Sequence, residues 1–241
     1  MTRVEAAGLA ALVSAVPRAE FDAEPLRRNL NDLAWLERVA RAHEAALERV
    51  LAATTVVPLR LCTLYEDEAG VRRMLERESR ALSEALDLLA GREEWGVKLL
   101  VDPDRLASAV SADTGESEVS EDDLSGGSEG TAYMLRRRRE RGARERASAM
   151  AAEVADEAHE RLRRPALDSV RHPAQNRDLS GHQGEMLLNG AYLVQAGRAG
   201  DLRAVARDLE ARHAALGARV EVTGPWPPYN FVPHAGPPGI A

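Results

Sequence analysis

The feature that most constrains the fold of this chain is a pattern present in both halves: a long helix followed by a strand, a second helix and a second strand. Apolar residues recur in steps of three and four over 25–51 and, more sparsely, over 136–162, which predicts the two long helices. A strand–helix–strand unit favours a right-handed crossover between parallel strands. With a short strand before each long helix, each half can form a small sheet with two helices on one face. We therefore predict an α+β fold of two ferredoxin-like domains.

The strands of this prediction are short apolar or alternating runs that end at turn residues. In the first half they are residues 8–13, 55–61 and 95–101, with a helix over 69–90. In the second half they are residues 131–135, 166–171, 186–194 and 218–223, with a helix over 201–216.

Residues 111–130 interrupt this pattern. The segment is acidic, rich in serine and glycine, and nearly devoid of large apolar residues. It cannot offset the entropy of ordering by burying apolar surface, so we predict a flexible linker. The predicted domains are residues 1–110 and 131–241, joined by this linker.

Composition limits the partners and the compartment. The net charge of -7 argues against general affinity for nucleic acid. No apolar run approaches the roughly 18 residues needed to span a bilayer. A single cysteine, Cys62, excludes an internal disulfide and is typical of a reducing cytosol. We expect a cytoplasmic protein that binds neither nucleic acid nor membrane.

The segment 224–232 combines rare aromatic residues with proline. The chain has nine aromatic residues, and three of them, Trp226, Tyr229 and Phe231, lie here among three prolines. Proline restricts its own backbone and that of the preceding residue, so the segment is stiff and extended. It either packs as a clasp that closes the second domain or presents aromatic side chains to a partner.

No motif for catalysis, cofactor binding or metal binding is evident. The six histidines lack zinc-like spacing, and His43 and His213 lie on apolar helix stripes, where a hydrogen-bonded, partly buried imidazole is expected. Nucleophile elbows, phosphate loops and dinucleotide-binding glycine patterns are missing. The four arginines at 136–139 are predicted to be a solvated helix start. We therefore expect no enzymatic activity, no cofactor and no metal.

Several blocks in order along the chain resemble the gas vesicle accessory proteins of the GvpL/GvpF family. The closing block at 224–232 is the most specific of them. The others are the first-helix residues Trp35, Leu36 and His43, the Pro-Leu-Arg-Leu-Cys-Thr run at 58–63, the Glu-Trp-Gly-Val-Lys run at 94–98, and the Asn-Gly-Ala-Tyr-Leu-Val run at 189–194.

Two departures from the family pattern concern the first domain. The family has a further aromatic strand before the segment at 8–13, whereas only residues 1–7 precede it here. Either the first sheet lacks one strand or the start of the chain has been trimmed. The family also has phenylalanine and glycine where this chain has Leu61 and Cys62.

The resemblance implies an assembly role. Proteins of this family help to build gas vesicles, and the resemblance implies binding to the small apolar shell protein and to other accessory proteins, with the shell contact on the first domain. An unpaired strand edge in that domain suggests capture of a shell-protein segment by β-augmentation. The candidate residues for partner binding or domain closing are Pro58, Arg60, Trp95, Lys98, Trp226, Tyr229 and Phe231. The alternative is a small-molecule sensor built from tandem ferredoxin-like domains.

Overall fold

The computed structural model describes residues 1–113, 129–174 and 184–232, and it confirms a mixed α+β fold. The chain forms two compact units. The first unit consists of Met1–Glu93 together with the C-terminal segment that begins at Pro227, and the second consists of Glu94–Trp226. The first unit is therefore discontinuous in sequence.

The first unit begins with a β-hairpin and continues with helices. The hairpin strands are β1 (Thr2–Ala6) and β2 (Leu9–Val13). The helices are α1 (Arg18–Phe21), α2 (Ala23–Asn29), α3 (Leu33–Leu51), α4 (Glu68–Arg77) and α5 (Ser79–Leu89), and a 3₁₀ turn at Tyr229–Phe231 belongs to the same unit.

The hairpin is closed by a two-residue turn. Ala7 and Gly8 have φ angles of 50° and 75°, and Ala6 pairs with Leu9 on either side of them. Two successive positive φ values match the right-handed twist of the flanking strands, which is why such turns join hairpins. One face of the hairpin covers α4, where Val4 is buried in an apolar cluster with Val71, Met74, Leu75 and Leu82.

The second unit is built on a four-stranded sheet. Its elements in chain order are β3 (Arg92–Val101), α6 (Pro103–Asp113), α7 (Glu129–Arg163), β4 (Asp168–His172), β5 (Glu185–Gln195), α8 (Ala199–Arg212) and β6 (Arg219–Trp226). The strand order is β4-β5-β3-β6, and β3 and β6 are antiparallel, as are β4 and β5. The chain order of this unit is therefore one strand, two helices, two strands, one helix and one strand.

The core of this unit follows from alternation along the strands. Val97 and Leu99 on β3 and Leu188 and Val194 on β5 are fully buried on one face of the sheet. Helices α7 and α8 cover that face with fully buried small and branched residues, which are Ala158, Leu162, Leu202 and Leu209. Side chains on one face recur every two residues along a strand and about every 3.6 residues along a helix, so these side chains lie together in the core.

The structure corrects the strand predictions for the first half. Residues 2–6 form β1, so the first sheet is not missing the strand before 8–13. Residues 55–61 form no strand, and Pro58 within them has no N–H to donate to a ladder. The predicted strand at 95–101 belongs to β3, in the sheet of the second unit, where Val97 pairs with Val222 and Leu99 with Val220.

These differences change the predicted domains. Among the described residues the first unit has only the two-stranded sheet, so the prediction of a ferredoxin-like domain there is wrong. The predicted strand at 131–135 is part of α7, because the helix begins at Glu129. Residues 111–113 are the last residues of α6 and residues 129–130 are the first of α7, so neither end of the predicted linker lies at the boundary between the two units. Within that segment, residues 114–128 lie outside the described residues.

Helix breaks also differ from the predicted spans. The predicted helix over 25–51 is divided between α2 and α3, because the Asp32 side chain accepts hydrogen bonds from the N–H groups of Ala34 (3.0 Å) and Trp35 (3.3 Å). This arrangement is an N-cap and starts a new helix. The predicted helix over 69–90 is likewise divided at Glu78 between α4 and α5.

Gly190 makes room for the aromatic ring of Tyr192, two residues further along β5. A Cβ atom at Gly190 would lie 2.9 Å from Cε2 of Tyr192, which is closer than van der Waals contact. The Tyr192 ring is fully buried, and its hydroxyl oxygen is 2.9 Å from Nδ1 of His159 on α7. This packing explains why glycine and tyrosine occur at this spacing in the 189–194 block.

We predict that Gly190→Ala destabilises the protein by about 1–3 kcal/mol, because the added methyl group displaces a ring that packing holds in place. Gly200→Ala is the matched control, since a Cβ there meets nothing within 4 Å. Urea denaturation measures both variants. Equal stabilities for the two would contradict this account of the 189–194 block.

Candidate protein interaction site

Three segments of the first unit meet at His43. This residue lies on α3, and its Nε2 is 2.7 Å from the hydroxyl oxygen of Tyr229. His43 also forms a hydrogen bond with the backbone of Leu59. The imidazole therefore connects α3, the 58–63 block and the closing block through two hydrogen bonds.

Burial sets the protonation of this pair. Burial lowers the pKa of His43, and the Leu59 backbone and the nearby Glu44 carboxylate oppose that shift. Burial also raises the pKa of Tyr229 to about 12, with a further contribution from Glu44. Both groups are therefore neutral near pH 7, with the phenol donating to Nε2 of the imidazole. A partly buried, hydrogen-bonded His43 is the arrangement that its place on an apolar stripe predicts.

The rest of the closing block packs beside this contact. We refer to residues 227–232 as the C-terminal strap. Pro228 and Phe231 are buried within it, whereas Asn230 is exposed. The clasp interpretation predicted closure of the second domain, but the strap belongs to the first unit. The reason is that β6 ends at Trp226 and the two prolines that follow cannot continue its hydrogen bonding.

The 94–98 block and the start of the closing block meet in the second unit. Trp95 is buried, and the Arg203 guanidinium lies 4.7 Å from the centre of its ring. Gly224 has a φ of 134°, and a Cβ atom there would lie 3.0 Å from the carbonyl oxygen of Glu94 and 3.1 Å from Cε3 of Trp95. Glycine at this position lets β6 pass close to Trp95.

Trp226 remains half exposed at the end of β6. Its indole N–H donates to Oγ1 of Thr223 at 3.1 Å, and Nε1 lies 3.5 Å from the position of a Cβ on Gly96. The exposed part of the ring is available to a partner. The partner-contact interpretation therefore stays a prediction for Trp226, whereas Tyr229 and Phe231 pack internally.

The seven candidate residues are divided between the two units. Pro58, Arg60, Tyr229 and Phe231 lie in the first unit, and Trp95, Lys98 and Trp226 lie in the second. Arg60 is exposed and Pro58 is buried, whereas Lys98 is half-buried opposite Glu221 on β6. Their roles in partner binding stay predictions.

The structure also shows exposed apolar side chains that the sequence patterns did not single out. We refer to Leu12, Val16, Leu30 and Leu33 of the first unit as the apolar group; all four are exposed, and Leu33 is 81% exposed. Leu30 and Leu33 belong to the apolar pattern in steps of three and four that predicts one helix over 25–51, and that pattern predicts that they are buried. The break at Asp32 changes the helical phase, so the buried face of α3 is marked by Trp35 and Leu47 instead.

Cys62 has the backbone conformation that favours glycine. Its φ is 62°, in the left-handed region, which agrees with the glycine of the family pattern at this position. Burial raises the pKa of its thiol, so the thiolate is disfavoured. The described residues include no group of three histidine, cysteine, aspartate or glutamate side chains placed to hold a metal ion. None of the described helices has the length and apolarity to cross a membrane.

Comparison with known proteins identifies the family. The sequence matches the family described as gas vesicle synthesis protein GvpL/GvpF over residues 2–233, so the chain belongs to that family of gas vesicle proteins. It is 37% identical over 223 residues to gas vesicle protein L of Streptomyces sp. (strain CB03234), covering 92% of this chain and 79% of that relative. It is 29% identical over 228 residues to gas vesicle protein F of the same strain, covering 93% of this chain and 84% of that relative.

Solved structures agree with this assignment at the level of the fold. The crystal structure of GvpF from Microcystis aeruginosa matches with a TM-score of 0.65 and 16% identity, over 95% of this chain and 87% of that one. The crystal structure of GvpF from Anabaena sp. PCC7120 matches with a TM-score of 0.61 and 17% identity, over 81% of this chain and 74% of that one. The family expected from the sequence blocks is confirmed.

We predict that Tyr229→Phe destabilises the protein by about 0.5–1.5 kcal/mol, because it removes the phenol that donates to His43 and leaves a half-buried ring nitrogen without that partner. Thermal denaturation of the variant and the wild type tests this. A Tyr229→Phe variant as stable as the wild type would show that the hydrogen bond does not hold the strap.

We also predict that His43 makes folding stability depend on pH. At a pH well above about 6.5 the ring is neutral in the folded and unfolded states. At lower pH the unfolded chain binds the proton more readily, because the pKa of His43 is lowered in the folded state. The contribution of His43 to the free energy of unfolding therefore falls as the pH drops from about 6.5 to the pKa of His43 in the folded state.

The measurement is denaturation of the wild type and His43→Gln at about pH 7.5 and about pH 5.5, on either side of the ordinary histidine pKa. The wild type should lose more stability over this range than the variant. Burial also lowers the pKa of His159. Because His159 is present in both proteins, its contribution to the pH dependence cancels in the comparison. An equal loss of folding stability in the wild type and in His43→Gln would contradict the prediction.

Proposed function

We propose that this protein is a non-enzymatic gas vesicle accessory protein that acts in the cytoplasm on assembling vesicles. In this proposal it binds the small apolar shell protein and other accessory proteins during nucleation and growth. Membership of the GvpL/GvpF family supports a role in gas vesicle assembly. The observation that carries the binding role is the apolar group, which the fold leaves exposed in the first unit.

The apolar group suits an apolar partner. Isolated apolar residues on a protein surface are ordinary, but the first unit exposes four large ones between Leu12 and Leu33. Burying one such side chain against a partner stabilises a complex by about 1.5–3 kcal/mol before ordering costs are counted. A few of these contacts suffice for a specific interaction with a subunit whose own surface is apolar.

The hairpin that carries Leu12 of this group supports capture of an extended segment. Among the described residues β1 and β2 pair only with each other, so each strand has one open edge. An open edge presents unpaired N–H and C=O groups to which another chain can add a strand. Such an addition would also cover part of the partner during assembly and limit its self-association.

The chemistry of the described side chains supports a binding role rather than catalysis. The two histidines whose pKa is lowered, His43 and His159, are each hydrogen-bonded to a tyrosine hydroxyl. These contacts hold elements of the fold together. The raised pKa of Cys62 also makes its thiol a poor nucleophile.

We predict that Leu33→Asp weakens binding to the shell protein by about tenfold or more, because a carboxylate replaces a side chain that the proposal buries at the contact. The folding stability should change by less than about 0.5 kcal/mol, because Leu33 is exposed. Co-purification with the shell protein, followed by titration, measures the effect.

Leu167→Asp is the control, because Leu167 is an exposed leucine of the second unit and the substitution adds the same charge. It should leave binding unchanged. Equal binding by the wild type and both variants would place the shell contact away from the apolar group. Failure of the wild type to bind would remove the shell protein from the proposal.

A further inference from the structure

Helix α7 is longer than its packing requires. It runs from Glu129 to Arg163, 35 residues, which corresponds to about 50 Å at the rise of an α-helix. Its buried positions lie in the C-terminal part, where Val154, Ala158 and Leu162 enter the core of the second unit. Most side chains from 133 to 149 for which burial is described are exposed, including every arginine among them.

One face of this exposed part carries a row of arginines. Arg137, Arg141 and Arg144 are spaced at i, i+4 and i+7, so they lie on the same face of the helix, and all three are exposed. Neither Arg141 nor Arg144 has a carboxylate within 4.0 Å among the described residues. Residues 129–149 contain seven arginines and three glutamates, although the whole chain has a net charge of -7.

Exposed apolar residues continue the same face toward the start of the helix. Tyr133 precedes Arg137 by four residues, and the Arg137 guanidinium lies 5.6 Å from the centre of its ring. Tyr133 is 47% exposed and the adjacent Met134 is 68% exposed. We refer to Tyr133, Met134, Arg137, Arg141 and Arg144 as the basic face. Tyrosine, methionine and arginine are the residue types enriched at the centres of protein interfaces.

Among the described residues, the arginines of the basic face contribute little to the stability of the fold. Arg137 and Arg141 are like charges at i and i+4, which repel one another and weaken a helix slightly. Glu140, three residues after Arg137 and four before Arg144, offsets part of this repulsion. The three arginines lie outside the apolar core of the second unit, which α7 enters only from Met150 onward. A partner that brings carboxylates to this face would remove the repulsion.

We propose that the basic face is a docking site for an acidic amphipathic helix of a partner protein. Its carboxylates would meet Arg137, Arg141 and Arg144, and an apolar residue at one end would pack on Tyr133 and Met134. Arginine forms paired, nearly parallel hydrogen bonds with a carboxylate, which adds geometric selection to charge attraction. This site is separate from the apolar group and does not depend on shell-protein binding.

The charge of the remaining chain favours an acidic protein over nucleic acid. Outside residues 129–149 the chain has an excess of acidic residues, which repels a long polyanion such as DNA. A short acidic helix contacts only the basic face and avoids most of that repulsion. The exposed Met134 beside the arginines also offers an apolar contact that a phosphate backbone would not use.

The experiment uses the full-length protein and two fluorescein-labelled peptides of about 15 residues, long enough to form a helix on binding. The first peptide has glutamates at i, i+4 and i+7 and one leucine at the end of that face. The second has the same composition, but its glutamates are distributed around the helix. In fluorescence anisotropy, the first peptide should bind at least about fivefold more tightly than the second. The reason is that scattered glutamates cannot contact one row of arginines together.

Reversing the charges of the three arginines tests whether the peptide binds at the basic face. The triple variant Arg137→Glu, Arg141→Glu, Arg144→Glu should bind the first peptide about tenfold or more weakly. The control Arg18→Glu, Arg28→Glu, Arg80→Glu changes the net charge equally at exposed sites of the first unit and should shift the affinity less than about twofold. A peptide with lysines in place of the glutamates should bind the first triple variant better than it binds the wild type. Circular dichroism should show both triple variants folded.

Three results would overturn the proposal: equal binding of the two peptides, equal loss of binding in the two triple variants, or no binding of either peptide. Tighter binding of a DNA duplex of about 20 base pairs, or of vesicles of anionic phospholipid, than of the first peptide at about 0.15 M salt would also overturn it and would identify the basic face as a nucleic-acid or membrane contact.

Discussion

The antiparallel pairing of β3 with β6 brings residues 94–100 against residues 219–226, and the arrangement of the rest of the chain depends on it. The pairing places β3 between β5 and β6 in the sheet, where Val97 and Leu99 are fully buried against α7 and α8. It requires glycine at 224, because β6 passes within van der Waals distance of Trp95 there. It also determines where β6 ends, so the two prolines after Trp226 lead the chain out of the sheet and into the first unit.

The family blocks acquire a physical meaning in this arrangement. The closing block serves both units: Gly224 and Trp226 contact the 94–98 block in the second unit, whereas Tyr229 contacts His43 in the first. The 58–63 block reaches the same histidine through Leu59. These blocks are therefore complementary packing elements, which explains why aromatic residues, prolines and glycines recur in them. Glycine removes a side chain where an aromatic ring or another strand must approach closely.

The surfaces proposed for binding are formed by residues that the core does not use. In the first unit, the break at Asp32 exposes Leu30 and Leu33, and the hairpin has open edges, so this unit suits an apolar or extended partner segment. In the second unit, the exposed part of α7 presents arginines beside Tyr133 and Met134, which suits an acidic partner. The two proposed surfaces differ in chemistry and lie on different units, so the two proposals assign them different kinds of partner.

The sequence by itself determined the family, the mixed α+β class and most helices and strands of the second half, because these depend on local periodicity and on short motifs with specific residues. It also indicated a hydrogen-bonded histidine on the first long helix. Only the tertiary structure decided that residues 95–101 belong to the second sheet, that 2–6 and 8–13 form a hairpin, and that the closing block divides between two units. Strand partners far apart in sequence are selected by the burial of whole faces, which periodicity within one segment does not encode. For the same reason, the exposed leucines became evident only when the buried side of each helix was known.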